Sequence, residues 1–283
     1  MTFISANAFR DFGRAVHREL RYVRSAAQEE FLKEVIATSN PRIARLEAKA
    51  ILWRAQLGHD WREETQNDET HEMPCAHPPE RMKPIPEKAT DGRANPRGIA
   101  CLYLATKKDT AVLEVRPLIG SYVSVAQFKV MRELRVVNCS GPRTDKLKRW
   151  LEPESLTAQE IEDAVWSDIN EAFSEPVERG DNSIEYVPTQ ILAEAFKRHG
   201  LDGTAYKSSY GNDGLNVALF DIDAANLINC GLYRIRHVSV EMTHEDSPYF
   251  MTKHYGKAVN TGASAPQNGD TKGALADGAA VQG

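Results

Sequence analysis

Apolar positions recur at spacings of three and four through residues 6–36, where Phe9, Phe12, Val16, Leu20 and Val23 alternate with arginines. That is the pattern of an amphipathic helix, and Asn40-Pro41 ends it. Its arginine-rich side reads either as the solvated face of a helix packed on the main domain or as a partner-binding or regulatory surface. The period then changes. "ILWRAQL" (51–57) reads as a strand, whereas Gly58 to about Pro86 is too rich in charge and proline for a regular element. "GIACLYLA" (98–105) alternates, with Ile99, Cys101 and Tyr103 on one face and Ala100, Leu102 and Leu104 on the other. "KDTAVLEVRP" reads as a short helix with Asp109 as its N-cap and Pro117 as its stop. "SYVSVAQFKV" and "LRVVNCS" are further strands.

Residues 142–173 read as helical, with Trp150, Leu151, Ile161, Val165, Trp166, Ile169 and Phe173 as candidate buried positions. "PTQILAEAFKRHG" is a helix with Pro188 near its start and Gly200 past its end. "DGTAYKSS" and "LNVALFDI" are short strands around a loop bearing Tyr210, Gly211 and Gly214, and "LYRIRHVSVEM" is a last strand. From about Gly256 the chain turns to Gly, Ala, Asn, Thr and Asp without aromatics, so a disordered tail is expected over 256–283. Strands grouped with interspersed helices, without regular βαβ alternation, indicate an α+β fold.

Composition narrows the function classes. The 283 residues suffice for a sizeable core, and 41% hydrophobic with 27% charged content is ordinary for a soluble globular chain. A net charge of -5 gives no global attraction to nucleic acid, although arginines crowd residues 10–24. No run of about 18 apolar residues is present to span a membrane. No apolar segment follows the N-terminal arginines as a secretory signal would require. Cys75, Cys101, Cys139 and Cys230 form no CxxC pair, which fits reduced thiols and a cytoplasmic protein.

Several chemistries find no support. In "HEMPCAH", His71, Cys75 and His77 match no standard zinc spacing and have no evident fourth ligand, so no metal is expected. Neither GxGxxG after a strand nor GxxxxGK[ST] occurs. Ser208 and Ser209 lack a GxSxG elbow, the eight histidines bear no patterned relation to them, and Cys101 lies within a strand. Arg93, Tyr103 and Glu114 are different, being placed about ten residues apart in apolar or glycine-punctuated sequence. Tyr103 and Glu114 are either satisfied pieces of a core strand and a capped helix or the floor of a site. Cleavage of an N-glycosidic bond passes through an oxocarbenium-like state that a fixed carboxylate stabilises. An arginine holds phosphate bidentately, a tyrosine offers a flat face to a heterocycle, and a hydroxyl orients an amide or ribose. Such parts suit a site that bends and cleaves NAD.

The segment "ERMKPIPEKATDGRANPRGIACLYLATKKDTAVLEVRP" closely resembles the central signature of the RES domain family, toxins of bacterial toxin–antitoxin pairs. The matching pieces are Arg81-Met82, Gly92 to Gly98, Leu102 to Ala105 and Ala111 to Glu114. Upstream, "LWRAQ" is similar to the family's opening aromatic-Arg strand and places Arg54; downstream, Tyr186, Gln190, Gly203, Tyr206, Ser208, Asn216 and Phe220 fall in register with its closing segment. The resemblance covers roughly residues 50–222. It implies an ADP-ribosyltransferase-like fold, with a split β core, surrounding helices and a cleft for bent NAD. The domain so implied spans 46–245, including a helical segment at 140–185, behind an N-terminal helical extension at 1–45. The implied activity is NAD breakdown by water or phosphate, a glycohydrolase or phosphorylase that depletes cellular NAD. The alternatives are ADP-ribose transfer to a protein and a non-catalytic NAD-binding module. Carried over by position, Arg93, Tyr103, Glu114 and Ser208 are the catalytic residues, with Arg93 where diphtheria-toxin-like transferases have a histidine. Arg54 and Asn216 join Arg93, Tyr103 and Ser208 in holding NAD. The resemblance implies no cofactor beyond NAD as substrate, with phosphate as a co-substrate. As a partner it implies an Xre-type helix-turn-helix antitoxin; association with a second copy of the chain as a homo-oligomer is left open.

Overall fold

The computed structural model describes residues 3–66, 69–141, 144, 146–175, 183–210 and 214–239. The tail expected at 256–283 and the end of the last predicted strand lie outside them. The chain begins with helices α1 (Ala8–Arg18) and α2 (Ala26–Ser39), followed by strands β1 (Ile43–Leu46) and β2 (Ile51–Leu57). A hairpin of β3 (Asp60–Gln66) and β4 (Glu69–Cys75) and a short α3 (Pro79–Met82) lead to β5 (Leu102–Ala105) and α4 (Lys108–Glu114). Next come β6 (Tyr122–Val130), β7 (Leu134–Asn138) and helices α5 (Lys146–Leu151), α6 (Ala158–Ser174) and α7 (Val187–Arg198). Strands β8 (Gly203–Lys207), β9 (Leu215–Leu219) and β10 (Ala225–Arg234) follow.

Eight strands form one mixed sheet in the order β1-β7-β8-β9-β5-β2-β6-β10. Every pairing is antiparallel except β7 with β8. A large mixed sheet that is antiparallel apart from one helical crossover, from β7 through α5, α6 and α7 to β8, is an α+β arrangement. On one face, Phe9, Phe12, Phe31 and Val35 of the first two helices share a core with Trp166 and Ile169 of α6 and Leu192 and Phe196 of α7. The opposite face is built on Leu52, Leu102, Phe128, Leu134 and Leu219. A third, smaller cluster sets Ala111 of α4 against Ala55, Val123 and Val125.

Several expectations need correction. The single helix over 6–36 is two. Between them Leu20, Tyr22 and Val23 are exposed, and Ser25 and Gln28 start α2 with a reciprocal capping box. The apolar faces of both helices are buried, so the N-terminal region packs as part of the molecule. The segment 58–86 holds a regular hairpin, in register from Asp60↔Cys75 to Gln66↔Glu69. Its strands are solvent-exposed, so it lacks the alternating apolar positions by which a strand is recognised. The helix over 142–173 divides where Thr157 and Glu160 form a second capping box at the start of α6. Val165, Trp166, Ile169 and Phe173 are fully buried, but Trp150 (78% exposed) and Leu151 (58%) face solvent. The strand over 98–105 shortens to β5, after Gly98 at φ +84°. Helix α4 starts with Lys107 as N-cap, and Asp109 lies in its first turn instead. β10 begins at Ala225 rather than Leu232.

Asp168 anchors the helical layer. It is buried on α6 and takes Arg149 of α5 at 2.7 Å and Arg10 of α1 at 3.1 Å. Among the described residues no helix is long and apolar enough to cross a membrane.

Candidate active site

The sheet is weakest between β5 and β2, which share a single registered pair, Trp53↔Ala105. β5 is fully laddered to β9, and β2 to β6, so the strands diverge on either side of that one pair. Arg54 of β2 bridges the opening by donating from Nη1 to the Tyr103 carbonyl at 2.9 Å. A cleft of about 320 Å³ lies there, lined among others by Trp53, Arg54, Arg93, Glu114, Tyr186 and Asn216.

Glu114 is the last residue of α4, an end where the helix dipole disfavours a carboxylate. Two donors offset this. Ser208 Oγ and Asn216 Nδ2 each reach Glu114 Oε1 at 2.6 Å, while Oε2 has no partner among the described residues. The approach of α4 to the strand bearing Asn216 depends on Gly214, because a Cβ there would overlap the Thr110 side chain. Ser208 also accepts from the Tyr210 amide at 3.2 Å, which fixes its rotamer.

Arg93 sits in the turn closed by the Gly92↔Asn95 bridge. Its Nη1 donates to the Ala172 carbonyl of α6 at 3.2 Å, and its guanidinium lies 5.6 Å from the Tyr186 ring centroid. The turn itself is clamped from three directions. Tyr103 donates its hydroxyl proton to Asn95 Oδ1 at 2.7 Å and accepts the Ala94 amide at 2.9 Å. Asn95 Nδ2 donates to the carbonyls of Thr90, Pro96 and Ile99. Gln190, buried on α7, donates to the carbonyls of Gly92 and Asn95, both at 3.0 Å. Gly92 is required at its position because a Cβ would overlap the Tyr103 hydroxyl.

All six sequence-selected residues therefore converge. Arg54, Arg93, Tyr103, Glu114 and Asn216 line one cleft, and Ser208 joins it through Glu114. The Tyr103 hydroxyl is already engaged in holding the Arg93 turn, which leaves its ring as the part free to face a ligand. Sequence reading passed over Asn95 as a clamp and assigned no role to Gln190 or Trp53. Gln190 had a signal, being a polar residue within the nearly continuous buried run 187–193 of α7.

The electrostatics are asymmetric. Neither Arg54 nor Arg93 has a carboxylate partner among the described residues. Arg54 Nε is buried without a hydrogen-bond partner, and burial holds the guanidinium below the usual arginine range. An anion entering the cleft meets two guanidiniums without a carboxylate partner and one carboxylate oxygen without a hydrogen-bond partner among the described residues. Burial pushes the Tyr103 and Tyr206 phenols upward, so both stay protonated at neutral pH. No group of three His, Cys, Asp or Glu among the described residues is placed to hold a metal. His77 is instead buried, with its ring against the Leu57 carbonyl and its amide donating to Ser124.

Comparison with known proteins gives a family match and one distant structural likeness. The RES domain family model matches residues 51–236. The crystal structure of the M. tuberculosis MbcT-MbcA toxin–antitoxin complex contains a chain similar at 14% identity, covering 71% of this chain and 92% of that one, with a TM-score of 0.34. A comparison with curated proteins gives no match. With the central signature, the cleft and a family match over most of the sequence in agreement, this chain belongs to the RES domain family.

Proposed function

We propose that the cleft binds NAD and cleaves its nicotinamide–ribose bond. The observation that carries this reading is the presence in one cleft of Glu114 and of Arg54 and Arg93, which have no carboxylate partner among the described residues. Membership of the RES family, whose resemblance implies NAD breakdown, supports it. The single-pair junction between β5 and β2 fits the split β core of an ADP-ribosyltransferase-like fold.

In this mechanism Arg54 and Arg93 hold the diphosphate, each through a planar fork suited to phosphate oxygens. As the bond from ribose C1′ to the nicotinamide nitrogen breaks, its electron pair leaves with neutral nicotinamide. Positive charge then grows on the ribose, and the Glu114 carboxylate stabilises it. Water adds at that ribose carbon and loses a proton to solvent, which gives ADP-ribose; phosphate in place of water gives ADP-ribose carrying a phosphate on the same carbon. Ser208 and Asn216 keep the Glu114 carboxylate aimed, and Tyr103 keeps the Arg93 turn in place. The catalytic unit on this reading is 46–245, with 1–45 as its helical extension. In a cell it acts as a toxin that drains NAD, restrained by an Xre-type antitoxin.

The test is a time course of NAD with purified protein, with and without phosphate, resolving nicotinamide from its partner product. Nicotinamide release matched by ADP-ribose or its phosphate is the expected result. Release with ADP-ribose appearing on a protein band supports transfer instead, and no release leaves a binding module.

A further inference from the structure

A second cavity, of about 470 Å³, lies beside the turn that presents Arg93. One wall is the α1–α2 connection, with Arg21, Tyr22 and Arg24. The other is Asp91 and Pro96, flanking the turn, and the face of α7 that carries Gln190 and Glu194. Arg21, Tyr22 and Arg24 precede the family match at 51–236, so this cavity exists because of the N-terminal helices.

Its lining is divided by chemistry. Arg24 Nε is buried with no hydrogen-bond partner, and Arg24 Nη1 makes a loose ion pair with Glu29 at 3.7 Å, beyond hydrogen-bond range. Arg21 uses its Nε on the Val16 carbonyl at 3.4 Å, a long contact, and its terminal nitrogens have no partner among the described residues. Two such guanidiniums suit a phosphate. The same lining carries Asp91 and Glu194, neither with an ion pair among the described residues; Asp91 Oδ1 accepts the Arg97 amide at 2.9 Å, which leaves Oδ2, and carboxylates of this kind receive ribose hydroxyls in nucleotide sites. The lining also holds Ile184, Val187 and Ile191, with the Tyr22 ring at 91% exposure available to a planar base. The two acids make a bare anion a poor fit, and the volume is that of a small-ligand site.

We infer that this cavity is a second ligand site that takes a nucleoside monophosphate. Its phosphate rests on Arg21 and Arg24, its ribose on Asp91 and Glu194, and its base on the apolar wall. Gln190 connects the site to the cleft. It lines the cavity and makes both hydrogen bonds that hold the Gly92 and Asn95 carbonyls, so an occupant that shifts Gln190 shifts Arg93. The coupling rests on the proposed function; the binding does not.

The experiment titrates the full-length chain with AMP, adenosine and inorganic phosphate, by calorimetry and by thermal shift. AMP is expected to saturate and to raise the melting temperature, with adenosine and phosphate each about tenfold weaker or worse. Arg24→Leu should weaken AMP by about tenfold, whereas an Arg54→Ala/Glu114→Gln variant should bind it as the wild type does. If Arg24→Leu does not fold, Glu194→Ala, at an exposed position, should still weaken AMP about threefold. Absence of AMP binding overturns the site. So does affinity that follows Arg54 and Glu114, because AMP would then lie in the cleft. Phosphate binding as tightly as AMP overturns the nucleotide assignment. For the coupling, AMP should change the KM for NAD in wild type and not in Arg24→Leu; an unchanged KM refutes it. None of the binding readouts uses turnover, so failure of NAD cleavage and failure of this site are separable.

Discussion

Glu114 is held in the cleft by two side-chain donors. It ends a helix whose carbonyl pole disfavours a carboxylate, and Ser208 and Asn216 offset this by both donating to the same oxygen. Glu114→Gln preserves the shape and removes the charge that the reaction needs. NAD cleavage should fall by about 10²–10³-fold, the cost of one preorganised electrostatic group, or roughly 3–4 kcal/mol. Melting should be unchanged, since a neutral amide sits more comfortably at a helix C-terminus. Initial rates beside a melting curve check both halves, and a folded Glu114→Gln protein with near wild-type turnover would remove Glu114 from the mechanism. Ser208→Ala should be milder, about tenfold in rate, because Asn216 still holds the carboxylate. None of this convergence was readable from local pattern. Arg54 lies on β2, Glu114 at the end of α4 and Ser208 just past β8, and only the ordered family motifs suggested that they meet. The local pattern did leave Tyr103 and Glu114 open between core and site, and the geometry gives Tyr103 a share in both.

Elements were legible where they bury a face or are buried throughout. β2, β7 and α7 bury one face and were recognised; β5 and β6, buried almost throughout, were recognised as short apolar runs, and α4 was recognised with its N-cap two residues earlier than expected. The hairpin β3–β4 has no buried face and so gave no signal, and the exposed apolar residues between α1 and α2 gave a false one. What joins the helices was also hidden, since Asp168 reads in sequence as an ordinary helix-surface acid. In the fold it is the buried counter-charge of Arg149, which is itself buried, and a partner of Arg10. Asp168→Ala leaves the Arg149 guanidinium buried and uncompensated, which costs about 3–5 kcal/mol. Chemical denaturation should show that loss. A drop below about 1 kcal/mol would mean that Arg149 escapes to water in the variant. Helix α6 also carries the Ala172 carbonyl that Arg93 uses, so a weaker second effect on NAD affinity should accompany the loss of stability.

At the scale of the molecule, the two-faced sheet buries groups that ionise only at high pH, and this sets its alkaline limit. Burial pushes the Cys101 and Cys139 thiols to about 12 and raises the Tyr103 and Tyr206 phenols. Each of these groups is neutral when folded and ionises earlier when unfolded. A folded pKa raised above the unfolded one contributes stability that is complete below the unfolded value and is lost as pH rises through the folded one. The thiols, with an ordinary value of 9.0, therefore begin to destabilise the fold above about pH 9, and the phenols add to this above about pH 10. Each buried group adds up to about 1.4 kcal/mol of loss per pH unit in that window. The melting temperature should accordingly be flat between about pH 7 and 8 and fall steeply above about pH 9, with the fall reduced in Cys139→Ala relative to its own neutral-pH value. The same burial predicts which thiols react. Cys139 and Cys101 are buried and bonded to Thr204 and to the Leu219 carbonyl, so iodoacetamide at about pH 8 should leave both unmodified in the native state and label the more accessible Cys75 first. Early alkylation of Cys101, or a melting curve indifferent to pH up to about 11, would show that the sheet's interior is open to solvent.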